Sequence, residues 1–93
     1  MSLTVKKTTQ QFHIGDEIYT VQFVKRLPKD TIGECDYYKK EIRILDSLPK
    51  KELLKTLIHE LLHAVCEEHH LKLKHWQIYH LENPIYEFIR DNF

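Results

Sequence analysis

The apolar period of this chain changes once, from two residues to 3.6, at Asp46-Ser47-Leu48-Pro49. That change divides the molecule into a strand half and a helix half. Upstream, Phe12-His13-Ile14, the break Gly15-Asp16 and the run Glu17 to Val24 read as a hairpin. Alternation puts Tyr19, Val21 and Phe23 on one face of the longer strand and Ile18, Thr20, Gln22 and Val24 on the other. Pro28 and Asp30 mark a loop, because proline cannot donate to a ladder and aspartate favours turns. A second pair follows, Ile32 to Tyr37 and Glu41 to Leu45, with Ile42 and Ile44 sharing one face. The expected sheet is small, mainly antiparallel and covered on one side.

Downstream, Ser47 is a candidate helix cap and Pro49 is tolerated in a first turn. From there to about His69, Leu54, Leu57, Ile58, Leu61, Leu62 and Val65 form a continuous apolar face, with His59 and His63 together at its edge. The segment His69 to His75 reads as a connection, and Trp76 to Arg90 as a second helix that Pro84 would interrupt or restart. The fold class is therefore α+β, a β-sheet packed against one central helix and a second, C-terminal helix.

A chain of 93 residues can hold one hydrophobic core, so residues 1–93 are read as one domain, short enough for a bound metal to add usefully to stability. Fourteen basic and fourteen acidic side chains balance to zero formal charge, which gives no reason to expect a nucleic-acid surface. Hydrophobic residues make up 42%, too many for a disordered chain, yet no apolar run is long enough to span a bilayer. Met1 to Gln11 is polar and lacks the apolar centre of a secretory signal. Cys35 and Cys66 are too few for a disulfide framework and read as small buried hydrophobes, which points to a reducing, cytoplasmic setting.

Histidine is the compositional outlier. Seven occur where about two would be average, and His59, His63, His69, His70 and His75 fall within seventeen consecutive positions. In His59-Glu60-Leu61-Leu62-His63 the two histidines stand four apart on a helix, so both imidazoles can reach one zinc ion at roughly 2.0 to 2.1 Å. Glu60 is one step round the helix, where a carboxylate can act as general base on a water without ligating the metal. The bare pattern would arise by chance in about 0.05 chains of this composition, and its place in an amphipathic helix after a strand lowers that further.

A third ligand is required, and His69, His70, His75, His80 and Glu82 compete for it. On a continued helix His70 would lie about 10 Å beyond His63, out of reach. The second helix presents Ile78, Leu81, Ile85, Phe88 and Ile89 inward; the same wheel puts Glu82 within that face and points His80 away. A carboxylate on an apolar face is costly unless paired or metal-bound, so Glu82 is the expected third metal ligand, beside His59 and His63.

The order Gly33-Glu34-Cys35-Asp36, Ile42-Arg43-Ile44, His59 to Ala64 and Leu81-Glu82-Asn83 to Ile89-Arg90-Asp91-Asn92 resembles small phage and prophage zincin-like proteins related to the ImmA/IrrE-type metallopeptidases. The resemblance covers nearly the whole chain. It implies a minimal gluzincin: a sheet, an active-site helix carrying two zinc ligands and the base Glu60, and a following helix supplying a glutamate as third ligand. In those relatives the acidic ligand precedes the asparagine matching Asn83 by a few residues, at the position of Tyr79, whereas the helical wheel favours Glu82.

Two functions compete. One is a zinc metallopeptidase in which Glu60 activates water against a peptide bond, with an edge strand near Cys35 to Tyr37 pairing an extended peptide or protein substrate. The other is a non-catalytic, zinc-stabilised interaction or regulatory protein that binds a partner through Tyr37, Tyr38 and Trp76. A closed four-ligand shell, with Cys66 or His75 joining, would favour the second. The sequence leaves the oligomeric state open.

Overall fold

Four strands and two helices follow one another as the two periods predict: β1 (Gln10–Ile14), β2 (Glu17–Val24), β3 (Gly33–Asp36), β4 (Glu41–Leu45), α1 (Lys50–Glu68) and α2 (His75–Asn92). The computed structural model of the protein describes residues 6–93, so part of the polar stretch Met1 to Gln11 lies outside the described residues.

The sheet order is β1-β2-β4-β3. β1 and β2 form the expected antiparallel hairpin, and Gly15 at the turn takes φ 61°, a conformation that costs glycine nothing. β3 and β4 form a second antiparallel hairpin, whose turn is stabilised by the Asp36 carboxylate accepting hydrogen bonds from the backbone N–H groups of Tyr38 and Lys39. The two hairpins join through a parallel β2–β4 pairing, which makes the sheet mixed, with β1 and β3 as its edges.

Alternation works as expected. Tyr19, Val21, Ile42 and Ile44 are at most 1% exposed and turn toward α1, where they meet Leu53, Leu57 and Ala64. Each such burial stabilises the fold by roughly 1.5 to 3 kcal/mol. The Tyr19 hydroxyl, the polar end of a core side chain, donates to Glu68 at 2.6 Å, and Lys40 pairs with the same carboxylate. The last turn of α1 is thereby fixed to the β1–β2 hairpin.

Ser47 does not cap α1. The first intrahelical carbonyl belongs to Pro49, which receives the N–H of Leu53, so Ser47 lies two residues too early. The buried residues of α1 also spread more widely than one stripe: Leu53, Thr56, Glu60 and Ala64 are as covered as Leu57 and Ile58, whereas Leu54, Leu61, Leu62 and Val65 are half-buried. The reason is that α1 is a middle layer, with the sheet on one side and α2 on the other.

Helix α2 runs continuously through Pro84. The proline removes one N–H and leaves the carbonyl of His80 without its helical donor, a loss water can repair because His80 is exposed. Only Ile78 and Tyr86 of α2 are buried; the expected inward residues Leu81 and Phe88 are 40% and 61% exposed. Among the described residues no helix is long and apolar enough to cross a membrane.

The sheet and α1 approach closely at Gly33. A Cβ there would lie 2.6 Å from Thr56 Cγ2, 3.2 Å from a Glu60 carboxylate oxygen and 3.3 Å from Ile44 Cδ1. Gly33→Ala is accordingly expected to destabilise the protein by roughly 1 to 3 kcal/mol in urea unfolding. Adding Thr56→Ser, which deletes the obstructing methyl, should recover much of that loss; an unaltered midpoint in Gly33→Ala would contradict the close approach.

Candidate metal centre

The amphipathic pattern that builds α1 also sets His59 and His63 one turn apart at the margin of its covered surface, where the first turn of α2 crosses them. The helices are antiparallel. Lys51 lies over the ring of Tyr86, His59 meets Glu82 and His63 meets His75, so position along α2 rises as position along α1 falls. The short connection after Glu68 is what returns the first residue of α2 to the last turns of α1.

Three imidazoles converge there. Ring centroids are separated by 4.8 Å for His59 and His63, 5.0 Å for His59 and His75 and 5.2 Å for His63 and His75. One ring nitrogen from each lies within 4.8 Å of the others. The Nε2 atoms of His59 and His63 are 3.2 Å apart, close to the roughly 3.3 Å that separates two nitrogens on a tetrahedral zinc. The donor set also suits zinc chemically, since neutral imidazole is a favoured ligand. Burial, then the neighbouring His59 and His75, hold His63 below the ordinary histidine range, which keeps its nitrogen lone pair available.

Glu82 was the expected third ligand, and its carboxylate is indeed turned toward α1. It contacts His59 on Nδ1, at 2.6 Å, rather than joining the group formed by His59, His63 and His75. His75 opens α2, one residue before the predicted start of that helix, and seven residues ahead of Glu82, so the two share one stripe of α2. That shared stripe, read with a connection ending at Lys74, was the available signal for His75. The other candidates lie elsewhere: His80 packs edge-on against Trp76 and Tyr79, His69 sits beside Gly15, and His70 occupies the turn with φ 55°. Cys66 is buried and outside the histidine group, and burial raises its thiol.

Glu60 is 8% exposed and faces the sheet side of α1, under the start of β3. Burial raises its carboxyl above the ordinary range; His59 opposes that, and Glu34 and Glu82 add to it. Its side chain borders a cleft of about 400 Å³ between β3, α1 and α2, lined also by Gly33, Thr56, His59, His75 and Tyr79. A buried carboxylate, three imidazoles and an open cleft bordered by an edge strand are the parts needed for metal-assisted hydrolysis.

No curated protein and no solved structure matches the chain. The sequence model of the SprT-like family matches residues 2–82, a stretch that contains the whole sheet, α1, His75 and Glu82. The chain therefore belongs to the SprT-like family, a zinc metallopeptidase-like family with a zincin-like fold.

Proposed function

We propose that this protein is a zinc-dependent metallopeptidase in which His59, His63 and His75 hold the ion and Glu60 is the general base. The observation that carries this reading is the convergence of the three imidazoles, two of which, His59 and His75, line the cleft that Glu60 also borders. A zinc ion there supplies Lewis acidity, lowering the pKa of a water and polarising a carbonyl oxygen.

The chain's own residues do the rest. Glu60 takes the proton of the attacking water and passes it to the departing amine, from a position next to His59 on the helix but on its sheet-facing side. Burial raises its carboxyl above the ordinary range, which makes the carboxylate a stronger base. β3 is an edge strand bordering the same cleft, and its free edge offers backbone N–H and C=O groups to an extended peptide or protein substrate. Two free cysteines accord with a reducing, cytoplasmic setting. The narrower kinship with phage and prophage proteins of the ImmA/IrrE type rests on the motif order alone.

Two results test this. Protein purified without chelator should carry close to one zinc per chain by elemental analysis; His75→Ala should lose most of it and His80→Ala should keep it. The opposite ranking of those variants would remove His75 from the site. With a fluorescently labelled unfolded protein as substrate, Glu60→Gln should retain zinc and lower the hydrolytic rate by about 10² to 10⁴-fold. Loss of zinc in Glu60→Gln would make Glu60 a ligand and defeat the mechanism.

A further inference from the structure

Helix α2 presents two polar side chains to α1 from one stripe, His75 and, nearly two turns later, Glu82. The Glu82 carboxylate oxygen is 2.6 Å from Nδ1 of His59, and the two side chains are only 14% and 15% exposed. A carboxylate accepts and does not donate, so a contact of this length requires the proton on Nδ1. A neutral imidazole carries one such proton, which leaves a bare lone pair on Nε2. Nε2 is the atom that faces Nε2 of His63, 3.2 Å away. The two nitrogens of His59 thus have separate tasks: one is held by Glu82, and the other is directed into the histidine cluster.

We propose that Glu82 is a positioning residue, whose carboxylate holds His59 in the Nδ1–H tautomer and fixes its ring so that Nε2 is presented to the metal. The inference rests on the reading of His59, His63 and His75 as the zinc ligands. It explains why a carboxylate sits on the side of α2 that is turned toward α1, where an unpaired charge would be costly. Glu82 therefore tunes metal affinity from outside the coordination shell, and it ties the middle of α2 to the ligand-bearing turn of α1. Without it His59 can place its proton on either nitrogen, and one of those choices blocks the site.

The experiment combines two readouts on the full chain. In metal-free protein labelled with ¹⁵N-histidine, at a pH above the ordinary histidine range, long-range ¹H–¹⁵N correlation should show His59 as the Nδ1–H tautomer. Glu82→Ala should convert it to a mixture, and Glu82→Gln, which retains an acceptor oxygen, should preserve most of the Nδ1–H form. Competitive chelator titration with zinc should then rank affinity as unaltered protein, Glu82→Gln, Glu82→Ala, with a total loss of about 10 to 100-fold. The Gln variant keeps the test valid if the Ala variant fails to fold. An Nε2–H His59 in the unaltered protein overturns the proposal, as does unchanged zinc affinity in both variants. A protein that shows the Nδ1–H signature but has no zinc affinity would defeat the metal reading itself and reduce the His59–Glu82 pair to a helix contact.

Discussion

The docking of α2 on α1 is the interaction on which the site depends. Helix α2 barely touches the sheet, and it buries only Ile78 and Tyr86, worth roughly 1.5 to 3 kcal/mol each. Ordering one backbone residue costs about 1 to 2 kcal/mol, so two apolar anchors are a thin hold for an eighteen-residue helix. Ile85 and Ile89 are half-buried, and polar contacts add to them: His75 against His59 and His63, and Glu82 against His59. An ion bridging the histidines would join the two helices directly and make folding of the C-terminal third depend on metal. The elements that create the chemistry would then be the same ones that hold α2 in place.

Glu60 answers to a different constraint. It stands next to His59 in sequence but projects toward the sheet, where Gly33 has no side chain to obstruct it. Its burial is a consequence of the same close approach that brings the β3 edge beside the cleft. The metal ligands thus depend on the α1–α2 contact, and the base and the substrate edge depend on the α1–β3 contact. Because α1 is the middle layer, a single helix can serve both.

Much of this was legible in the sequence. The change of period at Asp46 to Pro49 separated strands from helices, and alternation in Glu17 to Val24 and Glu41 to Leu45 grouped Tyr19 with Val21 and Ile42 with Ile44 on faces that form the core. The four-residue spacing of His59 and His63 anticipated their close approach. What could not be read was relative placement. The parallel β2–β4 pairing depends on how two hairpins dock, and no local signal specifies it. The helical wheel of α2 correctly turns Ile78 and Glu82 toward α1, but Leu81 and Phe88 on the same wheel stay largely exposed. His75 was assigned to a connection because its helix was expected one residue later.

The most direct test of the two-helix histidine site is a crystal structure of the zinc-loaded protein with anomalous data at the zinc edge. The expected result is one ion bound by nitrogens of His59, His63 and His75 at about 2.0 to 2.1 Å, with Glu82 on the Nδ1 side of His59. An ion coordinated by a Glu82 oxygen with His75 outside its shell would contradict the account.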